Sequence, residues 1–171
     1  GAYTTLISGP TKLPNPNVDN VVHVSSADEM MIECDKALPV NIAICAAAVA
    51  DYKVMKQSET KIKKNGSRLD IALEENPDIL SRLGKRNDNR PDLVVGFAAE
   101  TEKLEENSKI KLEKKGCDWI LGNNVSNGQV IGKDTNEIHF ISKSETENWK
   151  QMRKEEVAEK LSHKIVQHLK S

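Results

Sequence analysis

The chain has 171 residues, 37% of them hydrophobic and 30% charged, with a formal net charge of -1. That size and composition suit one globular domain around one buried core. The near-neutral charge supplies no global field for nucleic acid or an anionic membrane, so neither is expected as a partner.

The longest apolar run, residues 42–50, is alanine-rich and far short of the roughly 20 residues a membrane helix needs. No signal peptide is expected. The cysteines are Cys34, Cys45 and Cys117, an odd number without a CxxC pair. That spacing argues against a disulfide framework or a zinc site and for a reduced, cytoplasmic protein. Cys34 and Cys45 are read as packing residues.

Residues 3–8 are β-rich and end at Gly9-Pro10, a turn signal. A second short strand is expected over residues 21–25. Ser26 and Glu29 then match a capping box, opening a helix that Pro39 stops. Residues 41–49 read as a strand buried on both faces by helices, as in a parallel sheet. The run Ala46-Ala47-Ala48-Val49-Ala50 at its end has little side-chain volume. Either a helix packs closely there or a ligand lies against the carboxyl end of the strand.

Residues 52–75 form a lysine-rich insertion with Asn65-Gly66 at its centre, expected to be a β-hairpin arm. Lys61, Ile62, Lys63 and Lys64 precede the turn, and strand alternation through Leu69, Ile71 and Leu73 follows it. An apolar row on a protruding arm calls for a partner surface, so the arm is expected to carry a dimer contact. Asn76 is expected to cap a helix with Pro77 in its first turn, ending near Gly84. A buried strand follows over residues 92–98, then a helix over 102–115 closed by Gly116. Strands are expected over 119–121 and 138–141, separated by a loop over 123–134. A helix is expected over 145–170, with Val157, Leu161, Ile165 and Leu169 on one face.

This order predicts an α/β fold: a Rossmann-like, mostly parallel sheet with helices on both faces and an inserted hairpin arm. It also lacks GxGxxG and GxxxxGK[ST], so dehydrogenase and P-loop readings have no motif support.

Three groups could carry chemistry. Asp51 lies just past a strand's carboxyl end, where a carboxylate holds Mg²⁺ or a nucleotide, or simply caps a turn. Lys61, Lys63 and Lys64, with Lys111 and Lys115, could hold a triphosphate; the competing reading is a solvated surface. Lys111 and Lys115 share one helix face. Phe97 could stack on a base or fill the core. The histidines His23, His139, His163 and His168 are scattered, and no nucleophile elbow is present.

Six blocks taken in order resemble bacterial phosphopantothenoylcysteine synthetase. They are Ile7-Ser8-Gly9-Pro10-Thr11, Ala47-Ala48-Val49-Ala50-Asp51-Tyr52, Lys61-Ile62-Lys63-Lys64, Asn76-Pro77-Asp78-Ile79-Leu80, Val95-Gly96-Phe97-Ala98-Ala99-Glu100-Thr101 and Asn123-Asn124-Val125. The resemblance runs from residue 1 to about residue 170 and rests on the order and spacing of all six. It implies a ligase of coenzyme A synthesis that joins 4'-phosphopantothenate to cysteine through an acyl-cytidylate, converting CTP to CMP and pyrophosphate.

By that resemblance, Asp51 and Lys61 contact the nucleotide, with Lys61 on the arm near the reacting phosphate as the catalytic lysine. Asn76, Pro77, Asp78, Ile79 and Phe97 surround the cytosine. Lys111 and Lys115 lie on the triphosphate side, and Ala47 and Ala48 line the phosphopantothenate site. Mg²⁺ is the implied cofactor, with Asp51 its candidate ligand, and CTP is favoured over ATP. A homodimer through the arm and a fused or separate flavin-dependent decarboxylase are the implied partners.

The family begins this domain with a strand and a glycine-rich loop that residue 1 already follows. The chain is therefore expected to be a single synthetase-like domain, residues 1–171, incomplete at its N-terminus and inactive alone. The alternatives are a nucleotide-binding or dimerisation module without turnover and an unrelated α/β nucleotide-binding enzyme such as a dehydrogenase.

Overall fold

The computed structural model describes residues 1–56, 58, 60–63, 66, 68–100, 102–124 and 135–170. The elements begin with β1 (Thr5–Ser8), β2 (Asn20–His23), α1 (Ala27–Ala37), β3 (Ile42–Cys45), β4 (Tyr52–Val54) and β5 (Leu73–Glu75). They continue with α2 (Ile79–Gly84), β6 (Leu93–Glu100), α3 (Leu104–Lys115), β7 (Trp119–Asn124), β8 (Thr135–Ser142), β9 (Thr146–Arg153) and α4 (Lys154–His168). Two compact units form: Gly1–Leu38 with Ala47–Ile79, and Pro39–Ala46 with Leu80–Ser171. Among the described residues, no helix is long and apolar enough to cross a membrane.

In the first unit β1 and β2 pair in parallel, Thr5 opposite Asn20 through Ser8 opposite His23. The Ser26 hydroxyl accepts from the Glu29 N–H at 3.2 Å, so α1 starts where the sequence places it. The return bond is shifted by one residue. The Glu29 carboxylate accepts from the N–H and hydroxyl of Ser25, at 2.6 and 2.8 Å, and these bonds hold its pKa below the ordinary value. Caps of this kind contribute about 1 kcal/mol. α1 stops before Leu38, which is extended as a residue preceding proline must be.

The arm is paired only at its base. Tyr52 faces Glu75, Lys53 faces Glu74 and Val54 faces Leu73, antiparallel. The strands expected further out, around Lys61 and Leu69, do not form among the described residues, and Lys64 and Asn65 lie outside these. Gly66 has the positive φ of a turn glycine, +80°. Lys53 ties the base down. Its ammonium meets Asp28 of α1 at 2.5 Å and Glu74 across the ladder at 3.7 Å. Leu69 and Ile71 stay 60% exposed, so the outer arm has no buried face to reward pairing.

The second unit holds a five-stranded sheet in the order β3-β6-β7-β8-β9. β3, β6 and β7 run parallel, and β8 and β9 are antiparallel additions. The alternation read from the sequence thus gives the expected α/β sheet with its helices. Along β6, Leu93 and Val95 join Trp119, Leu121, Ile138, Phe140 and Trp149 beneath Val157, Leu161 and Ile165 of α4. Trp149 stacks on Phe140 with centroids 5.7 Å apart. The opposite face is cut close. A Cβ on Gly96 would lie 2.5 Å from Leu80 of α2, and one on Gly122 would lie 2.6 Å from the Ser108 hydroxyl of α3. Glycine at both positions lets these helices seat against the strands.

Three expected elements differ. β3 is four residues long and is an edge strand, so Ile44 is 49% exposed rather than covered on both faces. Residues 146–153, expected as helix, form β9. The Ser142 hydroxyl turns the chain by accepting from the N–H groups of Ser144 and Glu145, and Trp149 buries against the sheet. The helix begins only at Lys154, where the Arg153 N–H donates to the Glu156 carboxylate at 2.7 Å. Finally, α2 starts at Ile79 and Asn76 does not cap it; the Asn76 amide is used elsewhere, as described below.

Candidate functional site

In the first unit, Asp51 and Asn76 meet at the root of the arm. The Asn76 N–H donates to the Asp51 carbonyl at 2.8 Å, and its side-chain amide donates to the Ala50 carbonyl at 2.9 Å. Residues expected near the nucleotide, 25 positions apart, are thus locked together by main-chain acceptors one residue beyond the β4–β5 ladder. The Asp51 carboxylate is exposed and makes no hydrogen bond or ion pair among the described residues. Ala47 and Ala48 precede it as an exposed, irregular stretch. Lys61 is exposed on the outer arm, beyond the paired base. Pro77 and Asp78 lie between Asn76 and α2, and Ile79 is buried at 8% exposure.

The second unit places its candidates at the carboxyl end of β6 and on α3. Strand alternation separates them. Phe97 is half-buried and packs against the core beneath α4. Glu100 reaches α3 instead, where Lys111 meets its carboxylate at 2.8 Å. Lys115, one turn further along α3, is half-buried beside the Gly116 cap.

That end of α3 is held by Arg90. Its guanidinium donates to the carbonyls of Gly84, Pro91 and Gly116 at 2.8, 2.8 and 3.0 Å. It also grips both oxygens of Asp118, at 3.0 and 2.9 Å.

Sequence reading missed Glu100 as a partner. The available signal was an acidic residue in the Ala99-Glu100 strand end, followed by Asn107 and Lys111 on one helix face. No cluster of His, Cys, Asp or Glu able to hold a metal occurs among the described residues. Cys117 is buried at 1% exposure, and burial pushes its thiol up to about 11. Burial also raises the Cys34 thiol, helped by Asp35 and Glu33. An open cleft at the amino end of α3 is lined by Lys103, Leu104, Glu105, Glu106, Lys109 and His139, none of them among the expected site residues.

The fold and these residues define an α/β domain whose candidate ligand groups are lysines of the arm and of α3 and carboxylates at strand ends, with no cysteine or serine nucleophile among them. The chain belongs to the family described as DNA/pantothenate metabolism flavoprotein C-terminal domain, whose model matches residues 1–169. It is 41% identical over 168 residues to the coenzyme A biosynthesis bifunctional protein CoaBC of Haemophilus influenzae, covering 98% of this chain and 42% of that protein. The chain therefore spans under half the length of that curated relative.

A crystal structure of the C-terminal domain of CoaBC matches with a TM-score of 0.80 at 31% identity, over 99% of this chain and 76% of that one. The DNA/pantothenate metabolism flavoprotein from Streptococcus pneumoniae shares the fold, with a TM-score of 0.78 at 22% identity over 98% and 82% of the two chains. The family resemblance carried by the six sequence blocks is borne out.

Proposed function

We propose that this chain is the ligase part of a protein of coenzyme A biosynthesis, joining 4'-phosphopantothenate to cysteine at the expense of CTP. Family membership across residues 1–169 carries this reading. The residues present suit its chemistry. The phosphopantothenate carboxylate attacks the α-phosphorus of CTP, forming a C–O–P link and expelling pyrophosphate. The cysteine amine then attacks the acyl carbon. A C–N bond forms, CMP leaves with the C–O electron pair, and the ammonium proton is lost to solvent. Neither step needs a protein nucleophile; both need cations around phosphate oxygens.

By the family resemblance, Asp51, Lys61, Lys111 and Lys115 are the residues assigned to the nucleotide and its phosphates. Asn76, Pro77, Asp78, Ile79 and Phe97 are assigned to the cytosine, and Ala47 and Ala48 to phosphopantothenate. Mg²⁺ fits the donor set in one respect. It commonly binds through one or two carboxylates plus substrate phosphates, and Asp51 offers one carboxylate uncommitted among the described residues. When bound, the ion would neutralise phosphate charge.

The exposed Ile62, Leu69, Ile71 and Leu73 of the arm support a homodimer contact there. The relatives' bifunctional name supports a fused second activity, for which a flavin-dependent decarboxylase is the reading from sequence.

The test is product analysis with the full-length protein, 4'-phosphopantothenate, cysteine and either CTP or ATP with Mg²⁺. The expected result is one CMP and one pyrophosphate per amide formed, with CTP preferred. Amide formation without nucleotide cleavage, or no amide with either nucleotide, contradicts the reading.

A further inference from the structure

We propose that Glu100 is a positioning residue for Lys111, presenting its ammonium to the phosphates of the nucleotide; this rests on the assignment of Lys111 to the triphosphate made above. Glu100 ends β6, and its side chain is 17% exposed against 38% for Lys111. Both carboxylate oxygens are engaged. One accepts from the Lys111 ammonium at 2.8 Å, and the other accepts from the Asn107 amide at 3.4 Å. The same Asn107 amide also donates to the Glu102 carbonyl at 2.9 Å, which fixes its direction. Asn107 and Lys111 lie four residues apart on α3, so one face of that helix holds the carboxylate at both oxygens.

Both supports are tied into the second unit. β6 is hydrogen-bonded to β3 as far as Gly96 and to β7 through Glu100. α3 is seated where Gly122 leaves room for Ser108 and Leu104. Two neighbouring lysines, Lys103 at the N-cap and Lys109 within α3, behave differently. Lys109 pairs with Glu105 and Lys103 with Glu106 within the helix segment, at 2.6 and 3.4 Å, and all four side chains are at least half exposed. Such pairs are solvated surface contacts. The Lys111 pair instead joins helix to strand end at the edge where ligands of open α/β sheets bind.

A free lysine loses rotamer freedom when it grips a phosphate, and Glu100 has already restricted that freedom. An ammonium has three protons; one directed at Glu100 leaves the others for phosphate oxygens.

Calorimetric titration of the full-length protein with Mg-CTP and with CMP tests this, using Glu100→Gln, Lys111→Ala, the double variant and Asn107→Ala. Glu100→Gln is expected to weaken Mg-CTP binding about three- to fivefold, the scale of a partly exposed ion pair. It should weaken CMP less and add nothing once Lys111 is alanine. Asn107→Ala keeps the ion pair, guards against a Glu100 variant that fails to fold, and should weaken Mg-CTP in the same direction by less. If Lys111→Ala weakens Mg-CTP but Glu100→Gln and Asn107→Ala bind it as tightly as wild type or more so, the positioning role is wrong. An effect of Glu100→Gln that persists undiminished in the Lys111→Ala background also overturns it. If Lys111→Ala itself leaves Mg-CTP binding unchanged, the assignment of Lys111 to the triphosphate fails, and this proposal with it.

Discussion

Arg90→Ala should clearly destabilise the second unit. The guanidinium ties together the end of α2 at Gly84, Pro91 ahead of β6, the cap of α3 at Gly116 and Asp118 ahead of β7. It is 27% exposed, and its Asp118 partner is 31% exposed. The helix ends approach so closely there that a Cβ on Gly84 would collide with the Lys115 carbonyl. Truncation strands the carbonyls of Gly84, Pro91 and Gly116 at about 1 kcal/mol each. The partly exposed ion pair adds only about 0.5 kcal/mol. The expected loss is therefore about 3.5 kcal/mol, read by urea unfolding. Trp119 and Trp149, the chain's 2 tryptophans, are both buried in this unit and report it by fluorescence. Arg90→Lys should recover under half of the loss, because an ammonium cannot reproduce the planar fork. A loss below about 0.5 kcal/mol for Arg90→Ala would show that water replaces the guanidinium and would refute the reasoning.

The Ser108 hydroxyl is fully buried and has no hydrogen-bond partner among the described residues. Ser108→Ala should therefore leave stability unchanged or raise it by up to about 1 kcal/mol in the same urea assay; a clear loss would reveal a hidden partner. Hydrogen bonds from Lys164 and then from the Trp149 indole hold the Glu147 carboxyl below its ordinary 4.5. Its folded pKa is depressed, so its contribution is present above 4.5 and is lost as pH falls through the lowered folded value. Glu147→Gln should flatten the acid limb of the urea midpoint against pH; an unchanged limb would place the acid sensitivity elsewhere. Burial pulls the Lys164 ammonium down, but the bonds to Glu145 and Glu147 outweigh it and raise the pKa above 10.5. That contribution is present below 10.5 and fades as pH rises through the raised value, so Lys164→Met should flatten the alkaline limb.

Local signals were legible in the sequence. Ser26 and Glu29 mark the start of α1, Gly116 marks the end of α3, and the apolar run of β6 marks a buried strand. The two helix ends are legible because the deciding contact lies within a few residues, and β6 because its apolar run is unbroken. The misread elements depend on distant partners. Asn76 has the chemistry of a helix cap, yet its amide goes to Ala50, 26 residues earlier. β9 carries Glu147, Lys150 and Arg153 among its residues, and only Trp149 is buried, so its pattern ran into the helical period of Val157, Leu161 and Ile165. β3 reads as a two-sided strand because its residues are apolar throughout, whereas its edge position comes from the sheet order. The pairing of Glu100 with Lys111 joins a strand to a helix face and follows from no local rule. Asp51, Lys61, Phe97 and Lys111 were legible as site candidates by residue type and motif, but their partners were not.

The most direct test of the nucleotide assignment is calorimetric titration of the full-length protein with CTP, ATP and NADH, each with Mg²⁺. It should be run on wild type and on Asp51→Ala/Lys61→Ala. Selective binding of CTP that is lost in the double variant is the predicted result. Binding of NADH in preference to CTP, or CTP binding untouched by the double substitution, would contradict it.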